Sequence, residues 1–170
     1  MSLHNDLLEQ ARHLATRERS GPKQASLRRA VSAAYYAVFH LMVSEGAKRL
    51  APSEPRGLRE QVQRAFNHTA MNEVCRRFAQ GNVAGLPLAT RALIIAPLAP
   101  RLVSIAAAFV DLQAARHRAD YDTTAQFSRP ETNDWVDLAA QALSDWSHIR
   151  DASNTTAFLA ALLLHKNWRT

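Results

Sequence analysis

An all-α protein is what this sequence predicts, on three observations. Alanine and leucine dominate, the 170 residues include only 5 glycines, and β-branched residues almost never form runs. That composition favours helix over strand. No segment alternates apolar and polar residues for long enough to make a strand. Apolar residues recur instead at three- and four-residue intervals, the spacing that places them on one side of a helix.

The first helix is expected over about Leu3–Arg19, with Leu7, Ala11, Leu14 and Ala15 on its apolar side and Gly21-Pro22 as its stop. The second is expected over about Pro22–Leu50, where Pro22 suits a first turn because its missing N–H has no partner there anyway. One side carries Leu27, Val31, Ala34, Val38, Leu41 and Met42, and the other carries Arg29, Tyr36, Phe39, His40 and Val43. A helix apolar on both sides is expected to be central. Pro52, Pro55 and Gly57 break it. A third helix over about Arg56–Phe66 precedes a shorter one over about Thr69–Gln80, capped by Asn67 or Thr69. Residues 81–100, with Gly81, Gly85, Pro87, Pro97 and Pro100, read as a connection with one helical turn at Thr90–Ile95. Helix four runs over about Arg101–Tyr121, and a loop with Thr123 and Thr124 follows. Ser128-Arg-Pro-Glu131 reads as a capping box that starts helix five, with Trp135, Leu138, Ala139, Ala142 and Leu143 as its stripe. A final helix, about Asn154–His165, continues helix five after a break near Asp151. Phe158, Leu159, Leu162, Leu163 and Trp168 form an apolar C-terminal stripe, which either docks on the chain's own bundle or meets a partner.

The length suits one domain, and a chain this long buries enough surface to need no staple. A single cysteine, Cys75, allows no internal disulfide and no zinc cluster. No pair of histidines has ligand spacing, so neither a metal nor another cofactor is expected. His4, Asn5 and Asp6 interrupt any apolar signal core. The longest apolar runs, Ala92–Leu98 and Ala157–Leu164, are too short to span a bilayer. The expectation is a soluble cytoplasmic protein without a membrane partner. The net charge of +6 permits a polyanionic partner such as RNA. Arginine far outnumbers lysine, which suits bidentate phosphate contacts and equally follows from a coding bias.

Two helices carry the unusual residues. The second offers Arg29, Tyr36 and His40 along one line, and the fourth ends in Arg116, His117, Arg118, Asp120 and Tyr121. His68 stands at a helix start between them in sequence. On the fourth helix Leu102, Ile105 and Phe109 share a side with Arg116 and Asp120, so a core-facing line ends in a cation and a carboxylate. Phosphate-binding glycine loops, nucleophile elbows and HExxH helices are not found.

The segment Leu27-Arg-Arg-Ala-Val-Ser-Ala-Ala-Tyr-Tyr-Ala-Val-Phe-His40, then His68, then Arg116-His-Arg-Ala-Asp-Tyr121, resembles the HEPN family of small prokaryotic all-α domains, over roughly Leu7 to Trp146. The resemblance implies a bundle of four to five main helices with short extra helices, and usually a homodimer. Residues 1–150 would be the HEPN-like domain and 151–170 a C-terminal helical extension packed on it. Many members are metal-independent ribonucleases, acting as toxins beside a nucleotidyltransferase antitoxin or in phage defence. Their signature is an arginine, four to six residues, then a histidine. Counting from Arg116, the three positions where that histidine would stand hold Tyr121, Asp122 and Thr123. Only the arginine carries over, so whether the chain is an enzyme stays open. The resemblance also marks Tyr121 as a possible modification target.

Each of these residues has two readings. Arg116 and Asp120, four apart, form either a structural ion pair or a phosphate clamp and its orienter. His117 is either a surface histidine or the acid/base that moves the ribose 2′-hydroxyl proton. Tyr35 and Tyr36 are core and rim residues, or one of them stacks on a base. Arg29, Tyr36, His40, His68 and Arg118 are the candidate RNA or nucleotide contacts, with His40 and His68 alternatively structural hydrogen-bonding residues. Two functions follow. One is an RNA- or nucleotide-directed module, with Arg116, His117, Asp120 and Tyr121 as its catalytic set if it cleaves RNA. The other is a non-catalytic scaffold that binds nucleotide, RNA or a nucleotidyltransferase partner.

Overall fold

The computed structural model describes residues 2–52 and 56–165. Among these, every regular element is helical: α1 (Leu3–Thr16), α2 (Gln24–Leu50), α3 (Arg56–Ala65), α4 (His68–Ala79), α5 (Leu88–Arg91), α6 (Pro100–Tyr121), α7 (Arg129–Ile149) and α8 (Ser153–Leu164). A 3-10 turn at Val83–Gly85 lies between α4 and α5. The all-α expectation holds. No described helix is long and apolar enough to cross a membrane. The chain groups into two compact units, residues 1–41 with 108–144 and residues 42–107 with 145–170. Helices α2, α6 and α7 each give one end to each unit.

In the first unit, Leu27 and Val31 of α2 meet Ala115 and Ala119 of α6 and Phe127 of the following loop, with Ala125 and Trp135 packed against them. Each fully buried large apolar side chain stabilises by roughly 1.5–3 kcal/mol. Tyr35 and Phe109 extend this core, with ring centroids 5.5 Å apart. Between Ser26 and Ala47, only Arg28, Arg29, Tyr36, His40, Ser44 and Glu45 of α2 escape full burial, as expected of a central helix. Helix α1 stops at Thr16, before the expected Arg19, where the Thr16 hydroxyl turns back onto the carbonyls of Arg12 and His13. The carbonyls of Glu18 and Arg19 accept from Arg129, and the Glu18 carboxylate accepts from Ser26 Oγ. Gly21 then adopts φ +62°, a left-handed conformation that glycine enters at no steric cost. On α7, Thr132, Val136, Ala139, Ala142, Trp146 and Ile149 are buried, whereas Trp135, Leu138 and Leu143 of the expected stripe are half-buried.

In the second unit, α8 packs on α4 and α5, and the Phe78 and Phe158 rings meet edge to face at 4.9 Å. Phe158, Leu159 and Leu162 are fully buried there, so this part of the C-terminal stripe is core, while Trp168 lies outside the described residues. Burial drives the Cys75 thiol far above its ordinary pKa, and the residue behaves as a small hydrophobe. Asn67, one of the two expected caps, accepts from the backbone N–H groups of Thr69 and Ala70. The helical turn in the connection falls at Leu88–Arg91 and not at Thr90–Ile95, because the Asn154 amide takes both the N–H and the C=O of Ile95. Helix α8 is separate from α7. The carbonyl of Arg150 accepts from Arg49 and from Thr155 Oγ1, which closes α7 before α8 begins.

Candidate functional site

Five side chains of α2 spaced four apart, Gln24, Arg28, Ser32, Tyr36 and His40, form a polar row. Such a row is the ridge a helix commonly offers to a neighbour. Four of the five reach the end of α6 or the loop after it. Gln24 donates to the Phe127 carbonyl at 2.8 Å and accepts from the Phe127 N–H at 2.9 Å. Arg28 donates to the carbonyls of Ala119 and Ala125, at 3.1 and 2.5 Å, and so caps α6 with a cation. The buried Ser32 hydroxyl donates to Asp120 Oδ1. Tyr36 OH accepts from Arg116 Nη2 at 3.0 Å.

Arg116 is the centre of this arrangement. Its Nε lies 2.7 Å from Asp120 Oδ2, and the two side chains are 21% and 18% exposed. The direction of that contact is off line for a hydrogen bond, so the buried Nε–H has no in-line acceptor. Nη2 also donates to Tyr121 OH at 3.3 Å. The guanidinium carbon lies 5.2, 5.5 and 6.0 Å from the ring centres of Tyr121, Tyr36 and Tyr35, within cation–π range. Partial burial works against the charge, but Tyr36, Asp120 and Tyr121 outweigh it and hold the pKa above its ordinary value. Arg116 is therefore a permanent, oriented cation.

The other expected residues of this unit fall into place around it. His117 is exposed and leans its ring on Tyr121, 5.0 Å between centroids. Tyr121, itself 59% exposed, thus touches both Arg116 and His117, although these neighbours in sequence leave the helix in different directions. Tyr35 is core and Tyr36 is rim. His40 is half-buried against Phe39 and Tyr36, and burial lowers its pKa, so it is neutral at neutral pH. Arg118 pairs with Glu131 and lies 4.4 Å over the Phe127 ring. Glu131 meanwhile donates its N–H to Ser128 Oγ, the first half of the expected capping box. Arg29 is exposed, and no ion pair or side-chain hydrogen bond holds it among the described residues. His68 begins α4 in the second unit, half-buried.

Sequence reasoning missed Ser32, Arg28 and Gln24, which fix Asp120, the end of α6 and the loop. Their four-residue spacing with Tyr36 and His40 was the available signal. Among the described residues, no group of three or more His, Cys, Asp or Glu is placed to hold a metal ion. Comparison with protein families, curated proteins and solved structures finds no match to this chain.

Proposed function

We propose that the chain is an RNA-directed module of the HEPN type that contacts phosphate through Arg116. The observation that carries this reading is the Arg116 guanidinium, permanently charged and held by Asp120 and two tyrosine hydroxyls beside the exposed Tyr121 and His117. A planar cation oriented in advance suits the paired oxygens of a phosphate. In this reading the protein works as a cytoplasmic homodimer in a prokaryotic toxin–antitoxin or phage-defence system, with a nucleotidyltransferase as partner.

Metal-independent cleavage is the catalytic form of the reading, supported by the shared contact of His117 and Arg116 with Tyr121. His117 would take the proton of a ribose 2′-hydroxyl as that oxygen attacks phosphorus. The protonated His117, or a water that exchanges with it, would then return a proton to the 5′-oxygen as its bond to phosphorus breaks, yielding a 2′,3′-cyclic phosphate and a 5′-hydroxyl. Arg116 would stabilise the added charge on the phosphoryl oxygens, with Asp120 as its orienter. The engagement of Arg116 with three side chains of its own unit favours the second reading, a scaffold that binds RNA, nucleotide or the partner and does no chemistry.

One experiment separates these forms. Mixed-sequence RNA is incubated in excess EDTA with wild type, Arg116→Ala and His117→Ala, each first matched in melting temperature and solution mass, and binding is followed in parallel. Cleavage lost in both variants supports the ribonuclease. Binding without cleavage, lost in Arg116→Ala alone, supports the scaffold. Wild type that neither binds nor cleaves overturns the reading.

A further inference from the structure

A cleft of about 430 Å³ in the first unit is lined by Leu7, Gln10 and Leu14 of α1 and by Arg29, Ser32, Ala33 and Tyr36 of α2. Two of these residues also belong to the Arg116 cluster. Ser32 holds Asp120, and Tyr36 accepts from Arg116. The cleft and the cation therefore share a wall.

Its lining has the character of a small-ligand site: apolar walls with few polar groups, and a volume in the range of such pockets, roughly 300–1,000 Å³. Leu7, Leu14 and Ala33 supply apolar surface, and Tyr36 supplies an aromatic ring. The Gln10 amide offers one acceptor and two donors, the complement of a heterocycle edge. Arg29 stands at the rim as an exposed cation, untied among the described residues. Arg29 is the one charged residue of the lining; Arg116 lies behind Tyr36, and the Asp120 carboxylate, itself paired with Arg116, lies behind Ser32.

We propose that this cleft binds a nucleobase of the RNA whose phosphate lies on Arg116, with Tyr36 as the stacking wall, Gln10 on the base edge and Arg29 on the flanking phosphate. This rests on the proposed function and gives α1 a part in it. An apolar ligand would leave Arg29 and Gln10 unused, and a free phosphate would leave the apolar walls unused. A nucleotide unit uses both.

The test compares two labelled octamers at low salt, 2′-O-methyl oligoadenylate and an abasic ribose-phosphate strand of the same length and charge. Stacking of one base on an aromatic side chain strengthens binding roughly 5- to 150-fold. Wild type is expected to prefer the adenylate strand by about 10-fold or more. Ala33→Leu fills the cleft without changing charge, and should abolish that preference while leaving abasic affinity unchanged. Leu14→Gln serves the same purpose from the α1 side if Ala33→Leu does not fold. Equal binding of both strands by wild type overturns the cleft and leaves the Arg116 phosphate contact standing. A preference that survives both substitutions also overturns it, by placing the base elsewhere. Failure to bind either strand overturns both the cleft and the proposed function.

Discussion

Removing the Ser32 hydroxyl tests the polar row of α2 directly. Ser32 is 4% exposed, and its hydroxyl donates to a carboxylate whose side chain is 18% exposed. A hydrogen bond to a charged group contributes roughly 1.5–3 kcal/mol when water cannot replace it. Asp120 retains Arg116 after the change and is open enough for water to reach it. Ser32→Ala is therefore expected to destabilise by about 1–2 kcal/mol, around the lower end of that range. For a chain of this length that is a fall in melting temperature of roughly 2–8 °C. Asp120→Ala loses the same bond and also strips Arg116 of its counter-charge, so it should be more severe. The double variant should then be more stable than the sum of the two losses predicts, by about 1 kcal/mol. Urea unfolding of the four proteins gives this number. Additivity within about 0.3 kcal/mol would mean that Ser32 and Asp120 do not act as a pair, and the account of how Arg116 is positioned would fail.

Two further outcomes follow from other parts of the chain. Gly46 lies inside α2, where alanine is ordinarily favoured by about 1 kcal/mol, yet an added Cβ would stand 2.5 Å from Cζ of the buried Phe66 ring. Gly46→Ala should therefore destabilise by about 1–3 kcal/mol, and Phe66→Leu in the same chain should recover part of the loss in urea unfolding. The second concerns pH. Burial holds the His40 pKa below its ordinary 6.5, so the unfolded chain takes up this proton before the folded one does. Stability linked to His40 is complete above pH 6.5 and is lost as pH falls through that value toward the depressed folded pKa. The stability difference between wild type and His40→Gln, measured by urea unfolding at a series of pH values, should be constant above 6.5 and shift against wild type below it. A difference that stays flat would mean that His40 titrates alike in both states.

Much of the architecture was legible in sequence because it follows from spacing. The two apolar sides of α2 announced a central helix, and burial from Ser26 to Ala47 bears that out. Where the edges of elements differ from expectation, a side chain distant in sequence has captured the backbone. Arg129 holds the carbonyls after α1, and Asn154 holds both backbone groups of Ile95. Local periodicity carries no information about such captures. The site follows the same division. The Arg116–Asp120 and His117–Tyr121 pairs are each four residues apart on one helix, and spacing foretold both, whereas the Arg116–Tyr121 contact, five apart, was not foretold. The anchoring of Asp120 and Arg116 by Ser32 and Tyr36, 88 and 80 residues away, depends on which ridge of α2 meets α6. Arg29, grouped by sequence with Tyr36 and His40, does share the cleft lining with Tyr36, whereas Arg28, one residue away, reaches the end of α6, a role that spacing alone did not single out.

A polar row along an otherwise apolar helix is a poor device for stability alone. Partly buried ion pairs seldom outperform well-packed apolar residues of the same volume, because desolvation offsets most of the Coulombic gain. Arg116 shows this offset directly, with burial opposing the charge that its neighbours restore. What the row does supply is direction. Asp120 and two hydroxyls restrict the guanidinium to one orientation, and Ser32 restricts Asp120 in turn. The Nε contact to Asp120, 2.7 Å and off line for a hydrogen bond, acts as an ion pair and leaves the directional hydrogen bonds to the two tyrosine hydroxyls at Nη2. A cation fixed in this way has lost little further freedom to give up when it meets a phosphate, which is the condition under which one arginine contributes most to binding. The proposed phosphate contact rests on Arg116 and not on Arg118 because Arg116 is oriented beside the exposed Tyr121 and His117, whereas Arg118 is held by Glu131 over the Phe127 ring.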